Sequence, residues 1–385
     1  MLDRRSALLG LSAAVLPAFA PTTASRTPSG AGQGSGPAPV APDFARGARL
    51  EQVAAFPDRQ ITGVTVTREN RVFVCMPRWT VDVPVSVAEL RDGALHAYPD
   101  EGWNAYRNAS PAEPARRFVC VQSVVAHGDD LWVLDPAAPG QMGPVRDGPK
   151  LVRVDLRTNR VAGVIAVPPT VAIPGSYMND LRISPDGRWG YVTDSGTPGG
   201  LVVVDLRAGR ARRVLHDHPS VRFEEDVIPQ ADGRPLRRPD GRPPLFAADG
   251  IALSPDGGTL YWQALTGKTL YSIPTAVLRD LNAPAQRLTA AVRRVGTTHV
   301  ADGLWTDAAG RFYVTNPETS AVEMASSPGA PLQVIARDER MRWPDTMSQG
   351  PDGTLYVTAS HIQDSPWFKP DATVTPSAVW RIVPG

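Results

Sequence analysis

The chain is poor in the residues on which most catalytic signatures depend. It has two cysteines in 385 residues, with neither the spacing of a zinc ligand set nor the number a disulfide framework needs. There is no Gly-x-Ser-x-Gly elbow, no His-Glu-x-x-His and no phosphate-binding loop ending in lysine. Serine-triad hydrolysis, zinc proteolysis and nucleotide chemistry are thereby set aside. Neither sign of charge is in surplus: 40 Lys and Arg face 39 Asp and Glu, and the arginines are scattered. Nucleic acid is not an expected partner. Long apolar runs are also missing. The stretch 7–20 is interrupted by Gly10, Ser12 and Pro17, so no stable membrane span is expected.

That stretch has another use. Asp3-Arg4-Arg5-Ser6 ahead of a short apolar core predicts an export signal of the twin-arginine type over 1–24, cut after Ala24. The mature protein would be periplasmic or secreted. Residues 25–45 are rich in Gly, Pro and Ala and read as a disordered linker. Residues 46–385 are left to fold, and 42% hydrophobic content suffices for one large closed domain or two ordinary ones.

A repeat favours one. Six times a polar residue leads into a strand, a Gly/Asp-rich turn follows, and a second strand ends in aromatic and aliphatic residues. Thr62-Gly63-Val64 leads to Val72-Phe73-Val74, Gln122-Ser123-Val124 to Leu131-Trp132-Val133, and Asn179-Asp180-Leu181 to Gly190-Tyr191-Val192. Asp249-Gly250-Ile251 leads to Leu260-Tyr261-Trp262, Asp302-Gly303-Leu304 to Phe312-Tyr313-Val314, and Asp345-Thr346-Met347 to Leu355-Tyr356-Val357. Turns such as Ser184-Pro185-Asp186-Gly187 make these antiparallel hairpins. Third strands are predicted at 150–155, 201–205, 269–273, 321–325 and 378–383, and fourth strands at 161–167 and 211–215. The fold class is all-β, a six-bladed β-propeller with four-stranded antiparallel blades. Residues 49–56 supply the missing outer strand of the last blade and clasp the ring. Two stretches, 80–117 and 217–246, exceed what a blade needs and read as lids or as disordered insertions. Cys75 and Cys120 fall on neighbouring blades, either as two buried thiols or as a pair.

In a propeller the residue before each inner strand faces the channel mouth. Those positions are Thr62, Gln122, Asn179, Asp249, Asp302 and Asp345, all polar. Asx-type turns would account for single Asp-Gly pairs; a solvated or metal-filled mouth accounts for the whole set. Crowded carboxylates raise one another's pKa, and Asn179, Asp249 and Asp302 are hard oxygen ligands suited to a divalent cation such as Ca²⁺. A second ring at the ends of the second strands comprises Arg78, Trp79, Asp135, Asp194, Ser195, Gln263, Asn316, Ser360 and His361. Arg78 suits a substrate carboxylate, Trp79 or Tyr177 an aromatic ring, and His299 or His361 a general base. The catalytic candidates are Asp249, Asp302 and Asp345. The expected substrate-binding set is Thr62, Arg78, Trp79, Gln122, Tyr177, Asn179, Asp194, Gln263, Asn316 and His361. A monomer with a small-molecule partner is expected.

Several segments have a family look. Pro77-Arg78-Trp79, His96-Ala97-Tyr98-Pro99, Val121-Gln122-Ser123-Val124, Met178-Asn179-Asp180-Leu181, Thr193-Asp194-Ser195-Gly196 and Trp343-Pro344-Asp345 together resemble the major royal jelly protein and Yellow family. The resemblance spans nearly the whole mature chain. It implies a secreted six-bladed propeller, with activity related to L-dopachrome tautomerase, an isomerase of melanin formation, or binding of biogenic amines. The chain lacks the richer cysteine complement of insect members. Asn179, Asp249 and Asp302 are also similar to the metal-binding mouth of gluconolactonase and regucalcin-type propellers, which implies a lactonase as the alternative, although no glutamate occupies a leading position.

Overall fold

A computed structural model describes residues 48–373 and 375–385. The predicted signal at 1–24 and linker at 25–45 lie outside the described residues. Blade I consists of Gly63–Val66, Val72–Cys75, Val87–Arg91 and Ala94–Ala97. Blade II consists of Ser123–His127, Asp130–Asp135, Lys150–Asp155 and Arg160–Ala166, and blade III of Met178–Ile183, Trp189–Asp194, Gly200–Asp205 and Arg210–Val214. Blade IV is Ala248–Leu253, Thr259–Ala264, Thr269–Pro274 and Arg293–Thr297, and blade V is Leu304–Thr306, Phe312–Asn316, Ala321–Ala325 and Gln333–Arg337. Blade VI takes Pro344–Gln349, Leu355–Ala359 and Ser377–Val383 from the end of the chain and Arg49–Phe56 from the start. Inner strands neighbour one another in chain order and the sixth returns to the first, so the ring is closed.

Burial explains the sequence pattern of each strand. The inner and second strands of blade III are buried at every position, because adjacent blades cover both faces. The outermost strand of blade II alternates between exposed and half-buried, as one face meets solvent. The clasp forms as expected: Arg49 lies opposite Val383 and Phe56 opposite Ser377, so the strand from the start of the chain is the outer strand of the last blade.

Three expectations need adjustment. The stretch 80–117 contains the third and fourth strands of blade I. Their pattern is masked by buried Glu89, whose charge is compensated by Arg71 at 2.8 Å. The stretch 217–246 is an ordered cover: it carries a small hairpin, Gln230–Ala231 with Arg234–Pro235, and sends Val227, Leu236 and Phe246 into a cluster with Trp79 and Trp343. Blade IV also holds two short helices, Thr275–Arg279 and Ala285–Ala291, anchored by buried Leu278 and Leu288. Among the described residues no helix is long and apolar enough to cross a membrane. Both cysteines are free and buried.

Candidate functional site at the channel mouth

In blades III, IV and VI the polar residue that opens the inner strand owes its direction to a β-bulge. Pairing with the second strand skips between Met178 and Leu181 in blade III, between Ala248 and Ile251 in blade IV and between Pro344 and Met347 in blade VI. The skipped residues are Asn179-Asp180, Asp249-Gly250 and Asp345-Thr346, so the bulge re-aims a side chain at the mouth. Glycine follows Asp249 and Asp302 because the neighbouring blade is too close for a side chain. A Cβ on Gly250 would stand 2.5 Å from the Asp302 carbonyl oxygen, and one on Gly303 would stand 1.9 Å from that of Asp345. Crowding of backbones around the axis, rather than an Asx turn, accounts for the Asp-Gly pairs.

Second-strand hydroxyls stitch these bulges together. Thr193 Oγ1 accepts from the Asp180 amide at 3.2 Å and donates to the Asp249 carbonyl of the next blade at 2.5 Å. Thr358 does the same between the Thr346 amide and the Thr62 carbonyl. In blade I the equivalent position is Cys75, whose thiol donates to the Gln122 carbonyl at 3.1 Å. Burial pushes that thiol well above its usual range, and the Cys120 thiol up to about 12, so neither is a nucleophile.

The mouth itself is a cavity of about 20 Å³, room for a single water or ion. Its walls include Gln122, Asn179, Asp249, Asp302 and Asp345, five of the six leading positions, with no Lys or Arg among the lining residues. The three aspartates are only 4–6% exposed. Burial raises all three, and mutual repulsion adds to the shift for Asp249 and Asp345. Asp302 reaches about 7, restrained by hydrogen bonds from Trp343 and Asp249. The Trp343 indole donates to Asp302 Oδ2 at 2.6 Å. Beneath them Asp180, also raised by burial, lies 3.8 Å from the guanidinium of Arg182, which reaches across to the Leu304 carbonyl at 2.7 Å.

A directed chain of hydrogen bonds borders the other side. The Trp79 indole donates to the Tyr177 hydroxyl at 2.5 Å, Tyr177 to Gln122 Oε1 at 2.8 Å, Gln122 Nε2 to Asn179 Oδ1 at 2.9 Å, and Asn179 Nδ2 to Ser195 Oγ at 2.9 Å. Each donor fixes the orientation of the next amide. Trp79 also lies against Trp367, ring centroids 5.0 Å apart, making an aromatic wall.

Other expected site residues are elsewhere or already engaged. Arg78 is fully buried and bonded to Asp82, Ser86 and the carbonyls of Tyr106, Phe118 and Val119, so it holds the 98–119 segment and cannot orient a substrate carboxylate. Asp194 is committed to Ser176, to the amides of Tyr177 and Gly196, and to Arg213. Gln263 occupies the stitching position of blade IV and donates to the carbonyls of His299 and Gly267. Asn316 bonds Glu323, and Thr62 lies beneath the mouth against the Gln122 carbonyl. His299 is paired with Glu323 and His361 faces Asp364; neither lines the mouth cavity. Among the described residues no formed cluster of three or more Asp, Glu, His or Cys has the arrangement of a metal centre.

The structure adds Gln141, Phe246, Leu265, Ile362 and Trp367 to the walls and Asp180 below them. Asp180 was signalled, since a carboxylate stands where three other copies have glycine, at Gly63, Gly250 and Gly303. Leu265 follows the second strand of blade IV at the position of Ser195 and Ser360, and the remainder arrive from loops outside the hairpin repeat.

Comparison with known proteins bears on this arrangement. The major royal jelly protein family profile matches residues 120–368, more than half of the chain. Major royal jelly protein 5 of Apis mellifera is 25% identical over 214 residues, which cover 53% of this chain and 34% of the relative. The match therefore spans about a third of that relative's length. Among solved structures, a luciferin-regenerating enzyme superposes with a TM-score of 0.51 at 11% identity, covering 88% of this chain and 95% of the other. A gluconolactonase from Xanthomonas campestris gives 0.52 at 13% identity, covering 87% and 89%. These two likenesses are of fold. The chain, a six-bladed propeller with an acidic mouth, belongs to the major royal jelly protein family.

Proposed function

We propose that the mouth binds a small aromatic molecule bearing a positive charge or an iminium, and that its acids move a proton on that molecule, in an isomerisation of the dopachrome-tautomerase class. The observation that carries this reading is a set of three buried aspartates at a cavity lined by no basic side chain, beside Trp79 and Trp367, whose rings lie 5.0 Å apart and tilted by 36°. A cation offsets the repulsion that raises these acids, and an aromatic wall suits a flat ring. Asp302, held at about 7, is the base suited to neutral pH, with the neighbouring Asp249 as its protonated partner. Because Arg78 is engaged, a substrate carboxylate has no cationic anchor among the residues that line the cavity, which favours the decarboxylated aminochrome over dopachrome itself. Calorimetry with tryptamine and with indole-3-acetate tests the binding half: the amine is expected to bind and the acid not, with loss on replacing Asp249, Asp302 and Asp345 by Asn. Equal binding of both ligands would sink the reading. Decay of aminochrome absorbance, with dopachrome as the carboxylate-bearing comparison and wild type set against Asp302→Asn, tests the proton transfer.

A second reading is a divalent-cation site of the lactonase kind. It is favoured by an all-oxygen donor set around a space the size of one ion. Asn179, Asp249 and Asp302 would hold the cation, and a bound cation would polarise a lactone carbonyl or water. Calcium titration of chelator-treated protein, with Asp302→Asn as control, separates the two readings. The predicted signal at 1–24 extends the proposal to action outside the cytoplasm. Retention of the protein inside the cell when Arg4 and Arg5 are both replaced by Lys is the expected result.

A further inference from the structure

The acids are 4–6% exposed beneath a cover that leaves only about 20 Å³, so any ligand larger than a water or an ion needs the cover to move. Among the described residues the channel is narrowed below the acids. Arg182 crosses it to the Leu304 carbonyl, and the inner strands approach too closely for a Cβ at Gly250 or Gly303. The cover has two pieces, residues 217–246 and 361–373. They pack through Arg238 over the Trp367 and Phe368 rings and through Leu236 and Phe246 in one cluster with Ile362 and Phe368, and one guanidinium bridges them by charge: Arg342 donates to Asp232 at 2.8 and 3.1 Å and to Asp364 at 2.7 and 3.0 Å. Asp232 sits at the hairpin tip of the first piece, where Asp232 and Gly233 both have positive φ. Asp364 belongs to the short turn Ile362–Asp364 of the second, which also receives Lys369.

Two features bear on how readily this junction releases. The Asp232 side chain is 57% exposed and that of Arg342 26%, so the pair contributes little to global stability. Under the second piece, the side-chain oxygens of Gln363, Ser365 and Thr375 are buried without a hydrogen-bond partner among the described residues, a cost that rearrangement would relieve. The next residue after Arg342 is Trp343, in left-handed backbone at φ 51° with its indole on Asp302. The junction is thus one peptide unit from the hydrogen bond that restrains the central acid.

We infer that Arg342 is the latch of a two-piece roof, and that release of its bonds to Asp232 and Asp364 opens the mouth to its ligand. The latch stands on its own geometry. Only its role in ligand entry rests on the proposed function. Hydrogen exchange of the full-length protein tests it, comparing wild type with Arg342→Ala and with Asp232→Asn, the second being an exposed-tip change that leaves the core untouched. Amides in 228–238 and 361–369 are expected to exchange about tenfold faster in Arg342→Ala and less so in Asp232→Asn, while the inner strands keep their protection. Unchanged exchange in both variants, or a uniform rise across all blades, overturns the latch. Stopped-flow binding of tryptamine and of Tb³⁺ to the same proteins reads entry, and on-rates are expected to rise with the exchange. Faster exchange with no binding of either probe keeps the latch and removes the proposed site. Binding at the wild-type rate despite faster exchange removes the role in entry.

Discussion

Two sets of aspartates, equally hidden from solvent, flank the same mouth and have opposite surroundings. Asp135 and Asp194, at the ends of second strands, each face a buried cation and several amides. Asp135 has Lys150 at 2.7 Å and the amides of Val119, Cys120 and Ala137. Asp194 has Arg213 and the amides of Tyr177 and Gly196. Asp249, Asp302 and Asp345, at the starts of inner strands, have one another, the Trp343 indole, and hydroxyls of Ser360 and Thr346. The first set has its charge compensated within the fold and pins loops. The second set is left needing a proton or a cation, and a carboxyl in that condition is available for chemistry.

The contrast is broken most severely by removing a partner from the compensated set. Lys150→Met leaves Asp135 buried without its cation and is expected to cost roughly 3–5 kcal/mol in urea unfolding. A loss below about 1 kcal/mol would place Asp135 in the same class as the mouth acids. Next in size, Gly303→Ala forces a Cβ against the Asp345 carbonyl and separates blades V and VI at the mouth. A loss of about 1–3 kcal/mol is expected, with a fall in Asp302-dependent ligand binding.

Asp302→Asn should move stability the other way. Its carboxyl has a folded pKa near 7, above the unfolded value, so between about pH 4 and pH 7 the unfolded chain releases a proton that the folded protein keeps. The stability associated with this group is complete below pH 4 and is lost as pH rises through 7. The variant, free of that loss, should gain about 1–3 kcal/mol over wild type at pH 7.5 and little at pH 4, read as a widening gap in Tm. A gap independent of pH would show that burial does not hold a proton on Asp302. The smallest effect belongs to the stitching position: Cys75→Thr restores the residue used in blades III and VI and should change stability by less than about 1 kcal/mol, whereas Cys75→Val loses the bond to Gln122 and should cost about 1 kcal/mol.

Much of the propeller was legible in the chain. The repeat placed every hairpin, the clasp at 49–56 matched the observed strand Arg49–Phe56, and five leading polar positions do converge on one cavity. Failures have a common cause. Arg78, Asp194, Gln263 and Asn316 occupy positions that face the mouth in a generic blade, but nothing local reveals that backbone carbonyls or charges from distant segments already satisfy them. The walls contributed by Phe246, Ile362 and Trp367 belong to the roof, whose residues carry no repeat register.

The division between sequence and structure is therefore physical. Strand periodicity, turn chemistry and the six-fold repeat are local, and they determined the blades, their order and the polar character of the mouth before any contact was known. Which buried acid is compensated and which is left wanting a cation depends on atoms tens to hundreds of residues apart. Lys150 meets Asp135, Trp343 meets Asp302 and Arg342 meets Asp232 only after the ring has closed. Electrostatic free energy falls with distance and desolvation rises with burial, so both are set by the assembled fold and not by the order of residues.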